Sequence, residues 1–283
     1  MQTILVTGAN TGIGLALCKQ LCKDHGAKVF LGSRSVDKGQ AAVKDVLDYA
    51  GADAKVELVQ IDVGNDESVQ KAAASLKDKG IKLTAIVNNA GTGLAHGSSD
   101  EMVLNVNVMG PKRVVDAFSP LLDPAGSKIV NVGSGAGPMY VKKQTLKRTK
   151  FFVNPNITWE EIQAEVEKGC TKDDPGHGPM GSYGLSKALV ASYTMLLARE
   201  MKDKNVSAFC LSPGYIDTAI TAGFDGGKPV EEGTVSIRHC LFEAKPEESG
   251  WFFGSDAKRS PLHFLRNPGE PVFDGQINLS EVA

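Results

Sequence analysis

The chain has 283 residues, enough for one large α/β unit, with the composition of an ordinary globular protein. Its formal net charge is −2 and its isoelectric point lies near 6.2, so it lacks the basic excess of a nucleic-acid binder. Five cysteines, with no C-x-x-C pair, point to a reducing compartment. Cys18 and Cys22 lie one helical turn apart and read as small core residues. The sequence starts directly in a strand-like run, with no charged leader and no long apolar stretch. A cytoplasmic protein without a signal peptide or membrane span is expected.

The first apolar run, residues 2–8, ends in Gly8 and reads as a buried strand. Residues 11–26 follow with apolar positions at helical spacing, closed by Gly26. A strand over 27–34 leads into a helix over 35–51, with Ser35 at its N-cap and Gly51 past its end. Strand three spans 55–63, a polar helix 65–79 and strand four 83–91. A helix over 99–118 precedes strand five at 127–134. After an interruption come a helix over 182–203, strand six at 206–214, a helix over 229–243 and a last strand near 250–256. This alternation predicts a Rossmann-type, doubly wound α/β fold. About seven parallel strands would carry helices on both faces, in a single domain over 1–283.

Residues 138–180 break the alternation. This insert opens basic, then shows a capping-box pattern from Thr158 to Glu161. Trp159, Ile162 and Val166 recur on one face up to Gly169, so a short docked helix is expected there.

The turn between strand one and helix one carries Gly8, Gly12 and Gly14. Glycine permits a tight turn and close approach of a ligand, and the helix N-terminus beyond offers N–H groups to a pyrophosphate. Without a ligand, the same pattern is merely a glycine-rich turn. A site for NAD of this kind has an acid at the end of strand two, gripping the ribose 2′-hydroxyl. Here Ser33 and Arg34 stand instead. An arginine can pair with a 2′-phosphate, which favours NADP(H) over NAD(H). Asp62, after strand three, could accept from an adenine amino group or simply hold a turn.

Near residue 183 a tyrosine and a lysine share one helical face: Tyr183 and Lys187. A phenol titrates near ~10, and a neighbouring ammonium favours its ionised form. Among the tyrosines, Tyr49, Tyr140, Tyr193 and Tyr215 lack such a lysine and read as packing or surface residues. Tyr140 and Tyr215, with Met139, Trp159, Met180 and Phe224, could also line a pocket. The five histidines are scattered without metal-ligand spacing, so no metal site is expected.

These motifs together resemble the short-chain dehydrogenase/reductase family over about residues 1–255: Thr7-Gly8-x-x-x-Gly12-x-Gly14, Asn88-Asn89-Ala90-Gly91, Asn107, Ser134, Tyr183-x-x-x-Lys187 and Pro213-Gly214-x-x-x-Thr218. The resemblance implies an oxidoreductase in which Tyr183 gives a proton to a carbonyl oxygen, Ser134 hydrogen-bonds that oxygen and Lys187 holds the nicotinamide ribose. Asn107 would hold a water that links Lys187 to solvent. It implies cofactor contacts from Gly8, Asn10, Thr11, Gly12, Ile13, Gly14, Ser33, Arg34, Asp62, Val63, Asn89, Ala90, Gly91, Pro213, Gly214, Ile216 and Thr218.

Within the family the chain looks most like the monomeric carbonyl reductases. The residues after strand two (GSRSVDKGQAAV) and near the C-terminus (EEGTVSIRHCLF) carry that likeness, as does the insert. Tyr183 follows Ser134 by 49 residues, a long gap for the family. The likeness implies an NADPH-dependent reductase of ketones or aldehydes, monomeric because the insert covers the helical face that otherwise builds oligomers. Two positions depart from the pattern: Gly133 stands where many members have serine, and Thr11 where carbonyl reductases often have a basic residue.

Other readings are a specialised biosynthetic ketone, imine or enone reductase of the same family and a catalytically silent NADP(H)-binding module. A hydrolase is the remaining one, since Gly184-Leu185-Ser186-Lys187-Ala188 approaches a G-x-S-x-G elbow. The expected partner is a small carbonyl compound, with no nucleic acid and no membrane.

Overall fold

Apolar runs buried on both sides build one sheet. In the computed structural model, which describes residues 1–93, 97–178, 180–223 and 225–277, the strands are β1 (Thr3–Val6), β2 (Lys28–Ser33), β3 (Val56–Gln60), β4 (Ala85–Asn88), β5 (Ser127–Val132), β6 (Val206–Leu211), β7 (Phe252–Phe253) and β8 (Arg259–Ser260). They lie in the order β3-β2-β1-β4-β5-β6-β7-β8. Neighbours from β3 to β7 are parallel, and β8 runs antiparallel to β7. The fold is the doubly wound one expected, with β8 added. Two residues in an irregular tail carry no periodic signal that could announce a strand. The order reverses between β1 and β4, which opens a crevice at the carboxyl ends of these strands.

Side chains from one strand point alternately to two cores. Ile4 and Val6 of β1 pack with Leu17 and Leu21 of α1 (Gly12–His25), Val46 of α2 (Val36–Ala50) and Ile237 of α10 (Val235–Phe242). Leu5 faces the other core, made by α3 (Asp66–Asp78), α4 (Asp100–Leu104), α5 (Gly110–Phe118) and α9 (Gly181–Glu200). Cys18 and Cys22 are buried among apolar residues, as their spacing suggested. The caps read from sequence are present: Ser35 accepts from Lys38 N–H, and Gly26 takes the left-handed conformation.

The single helix expected over 99–118 is three pieces. A π-helical turn over Asn105–Met109 separates α4 from α5. Pro111 has no N–H to give the carbonyl four residues back, and the ladder widens so that Gly110 N–H bonds Asn105 O. The last expected helix is also shorter, with a 3₁₀ turn over Glu232–Thr234 before α10.

The insert contains three helices: α6 (Ala136–Lys142), α7 (Leu146–Phe152) and α8 (Trp159–Lys168). Thr158 and Glu161 form the expected capping box on α8. Two glycines let α6 lie directly on α9. A Cβ at Gly137 would stand 3.0 Å from the Lys187 carbonyl, and one at Gly184 would stand 2.9 Å from Tyr140 Cβ. Under this cover sixteen of the twenty residues of α9 are buried.

A buried polar cluster fastens the insert. Asp174 accepts from Tyr140 Oη at 2.5 Å, Gln144 Nε2 at 2.8 Å and Gly176 N at 2.7 Å. Arg148 lies 3.4 Å from Asp174 and 2.8 Å from Glu165 of α8. Burial alone would raise the Asp174 pKa, but these bonds and the Arg148 charge outweigh it and hold the carboxyl below its ordinary value. Burial, then the bond to Asp174, pushes the Tyr140 hydroxyl the other way, well above the usual phenol range. Tyr140 is thus a buried anchor inside the insert.

Because the folded-state pKa of Asp174 is lowered, its stabilisation is complete above the unfolded carboxyl value near ~4 and fades as pH falls through the folded value. Asp174→Ala should lower the free energy of unfolding by about 3 kcal/mol at neutral pH, measured by denaturant titration. The variant should then lose less additional stability than the wild type between about pH 5 and pH 2.

Candidate active site

The glycine turn is built against the end of β4. Gly8 has φ 62°, a left-handed value, and a Cβ there would lie 2.7 Å from Ala90 Cα. No other residue satisfies both the conformation and the approach. Thr7 ties the two strands together: its hydroxyl accepts from Asn89 N–H at 3.1 Å and Ala90 N–H at 3.0 Å. Asn89 answers with its side-chain amide, which donates to the carbonyls of Thr7 at 2.9 Å and Gly8 at 3.1 Å. So the Asn89 side chain shapes the turn from beneath. Thr7, quoted within the motif but given no separate role, is the hub of this arrangement.

Beyond the turn, α1 begins with exposed Thr11, whose side chain makes no capping bond. Asn10, Gly12 and Ile13 are half-buried and Gly14 is buried. The first turn of α1 thus starts without the side-chain acceptor that N-caps commonly supply. The segment after β6 folds back over it. Thr218 Cγ2 stands 3.6 Å from where a Cβ on Gly12 would be, and Gly233 fits between Ile13 and Ile216. Pro213 and Gly214 begin this segment, with Gly214 at φ 92° against Ser255.

At the end of β2, Ser33 is buried and its hydroxyl donates to Ser35 O at 2.8 Å. Arg34 is exposed and has no hydrogen-bond or ionic partner among the described residues. Asp62 Oδ1 accepts from Gly64 N–H at 3.0 Å, holding its own turn. Val63 is buried against Gly110, so only its main chain could reach a ligand.

Tyr183 and Lys187 are both buried on α9, and the Lys187 ammonium stands 5.5 Å from the Tyr183 ring centroid. Lys187 Nζ donates to Val132 O at 2.9 Å, two residues before Ser134. A Cβ on Gly91 would be 3.7 Å from the same ammonium, and one on Gly93 would be 3.8 Å from the Tyr183 ring and 3.2 Å from Ile220. The ends of β4, β5 and β6 thereby converge on the tyrosine–lysine pair.

Asn107, in the π-helical turn, locks this junction. Its Oδ1 accepts from Thr92 N–H at 2.9 Å, and its Nδ2 donates to Thr92 O at 2.9 Å and Ser186 Oγ at 3.1 Å. Ser186 donates in turn to Tyr183 O at 2.7 Å. Ser186 is fully buried inside α9, not exposed on an elbow, which removes the basis of the hydrolase reading. It is instead an unforeseen second support of the pair; a helix-interior serine gives no sequence signal for that.

Ser134 is half-buried and its Oγ accepts from Ala136 N–H at 3.2 Å, the turn bond that a strand-end serine often makes. The departure at Gly133 has a packing cause. A Cβ there would meet Leu211 O at 2.8 Å and Cys210 Sγ at 2.9 Å, so the Cys210 sulfur of β6 takes the space. Burial pushes the Cys210 thiol up to about 12, so it fills that space as a neutral group. Met139, Met180 and Tyr215 are exposed, whereas Trp159 packs edge-on against Tyr193. Phe224 lies outside the described residues. Among the described residues no cluster has the make-up of a metal site, and no helix is long and apolar enough to cross a membrane.

Comparison with known proteins agrees with this geometry. The family model for the short chain dehydrogenases matches residues 2–154. The chain is 31% identical to (+)-neomenthol dehydrogenase of Arabidopsis thaliana, the match covering 88% of this chain and 94% of that one. It is 30% identical to carbonyl reductase [NADPH] 1 of Mus musculus, covering 81% and 86% of the two chains. Salutaridine reductase from Papaver somniferum superposes with a TM-score of 0.74 at 25% identity, covering 89% of this chain and 99% of that one. The chain belongs to the short-chain dehydrogenase/reductase family of oxidoreductases, close to the carbonyl reductases.

Proposed function

We propose that the protein reduces a ketone or aldehyde to an alcohol with NADPH. The observation that carries this reading is the buried Tyr183–Lys187 pair, tied through Val132 to the strand end that bears Ser134. The residues around the crevice fit a dinucleotide. The first turn of α1, free of a side-chain cap, suits a pyrophosphate, and Thr218 lies above it. Exposed Arg34, without a hydrogen-bond or ionic partner among the described residues, suits a 2′-phosphate. Asp62 and the main chain of Val63 would meet the adenine, and Asn10, Ala90, Gly91, Pro213, Gly214 and Ile216 would border the cofactor. When bound, the nicotinamide would supply the hydride.

The chain's own residues would do the rest. The Tyr183 hydroxyl donates the proton to the carbonyl oxygen as negative charge grows there. Ser134 Oγ donates a hydrogen bond to the same oxygen, stabilising that charge. The Lys187 ammonium, beside the Tyr183 ring, holds the ribose hydroxyls. Asn107 and Ser186 keep α9 and the residue 91–93 loop at a fixed separation, and Asn107 holds the water through which Lys187 reaches solvent. Coverage of α9 by the insert supports a monomer, and five free cysteines support a reducing compartment, the cytoplasm. Two relatives are named for one compound each, neomenthol and salutaridine, which favours a second reading: a reductase specialised for one biosynthetic ketone, imine or enone.

The test is nicotinamide absorbance with purified protein, NADPH or NADH, and a panel of ketones, aldehydes and quinones. Broad turnover supports the carbonyl reductase, and turnover of a single compound the specialised enzyme. NADPH binding without any turnover would leave only a silent module. Tyr183→Phe should cut kcat by about a hundredfold or more while NADPH affinity, read by fluorescence, stays within about twofold. Arg34→Glu should lower the preference for NADPH over NADH by about tenfold or more, measured as the ratio of kcat/KM values.

A further inference from the structure

The tail past β8 carries no family motif, yet it is held firmly. Arg266 is buried in it. Its Nε donates to Ser260 Oγ at 3.0 Å, and its Nη1 to the carbonyls of Asn267 at 3.1 Å and Glu270 at 3.0 Å. Its Nη2 pairs with the Asp256 carboxylate. One guanidinium thus fastens the turn between β7 and β8 to the chain that follows. Glu270 closes the loop by accepting from Asn267 N–H at 2.8 Å and from its side-chain amide at 3.0 Å.

The residues just before this clamp divide sharply. Leu262 and His263 are 8% exposed, whereas Phe264 is 39% exposed and Leu265 37%. An anchored loop that displays two adjacent large apolar side chains costs free energy unless something covers them. Leu265 also has a definite neighbour. Its Cδ1 stands 3.1 Å from the position of a Cβ on Gly135, the residue after Ser134. Gly135 is itself fixed, its N–H donating to Ser212 Oγ at 3.0 Å. Leu265 therefore rests on the backbone beside Ser134, at the end of the sheet where Tyr183 lies.

We propose that Leu265, held in place by the Arg266 clamp, forms a wall of the substrate pocket beside Ser134 and limits the bulk of the group attached to the reacting carbonyl. This rests on the carbonyl-reductase reading and adds a residue that sets specificity. A leucine here removes apolar surface of the substrate from water and leaves the reacting atoms alone. It should act on substrate binding far more than on the chemical step.

The test uses the full chain, its Leu265→Ala and Leu265→Trp variants, NADPH and a series of methyl ketones whose second substituent grows from ethyl to phenyl to naphthyl. For Leu265→Ala the expected result is a KM about tenfold higher for the smallest ketone and a relative kcat/KM for the largest raised about tenfold. For Leu265→Trp the large-to-small ratio should move the opposite way. In both variants kcat on the smallest ketone and NADPH affinity should stay within about twofold of wild type. If the wild type turns over the series and both variants keep its large-to-small ratio within twofold, Leu265 is no wall and the inference fails alone. If the wild type binds NADPH but reduces no ketone, the carbonyl-reductase reading fails and this inference with it.

Discussion

The buried ammonium of Lys187 is the constraint around which the rest is arranged. A charge at this depth needs partners, because leaving it unpaired costs several kcal/mol. The protein gives it the Val132 carbonyl at 2.9 Å, which commits α9 to lie against the end of β5. That position brings Tyr183 alongside it, with Gly91 next to the ammonium and Gly93 next to the Tyr183 ring. The π-helical turn serves the same junction. By displacing Asn107 from an ordinary helical register, it lets one side chain hold Thr92 through both backbone groups and reach Ser186 of α9.

A helix that carries a buried lysine and is apolar over most of its surface must be covered on every side. The sheet covers one side of α9 and the insert another. Gly137 and Gly184 bring α6 into backbone contact with α9, and the cluster around Asp174 stops α6, α7 and α8 from peeling away. The insert and the tyrosine–lysine pair are therefore one mechanical unit.

Much of this was legible in the sequence, and for physical reasons. Apolar runs bounded by glycine gave the strands. The glycine turn marked the crevice, because Gly8 has both a left-handed backbone and a neighbour at 2.7 Å. The Thr158–Glu161 box marked α8, since both residues contribute reciprocal bonds that need that spacing. What stayed hidden depends on tertiary contact. Asn107 falls inside the helix expected over 99–118, but the π-helical turn that makes it useful arises from Pro111 and from packing. Ser186 lies in a run that only approaches a nucleophile elbow and reads as helix; its bonds to Asn107 and Tyr183 depend on the fold. Tyr140 reads as a packing or surface residue in sequence, and only the fold shows its hydroxyl facing Asp174, 34 positions away in the chain. Gly133 read as a loss of serine; in space it is the gap that Cys210 fills. The tail beyond β8 gave no signal at all, because one arginine joined to scattered carbonyls leaves no pattern in sequence.

The proposed chemistry reduces to one transfer, of hydride from nicotinamide to a carbonyl carbon within reach of Tyr183. The most direct measurement is to supply the purified protein with NADPH deuterated at both C4 positions, together with a ketone, and to analyse the alcohol by mass spectrometry and NMR. The account predicts an alcohol carrying one deuterium, on the carbinol carbon. An alcohol without that label, or labelled cofactor that binds and is never consumed by any carbonyl compound, would contradict it.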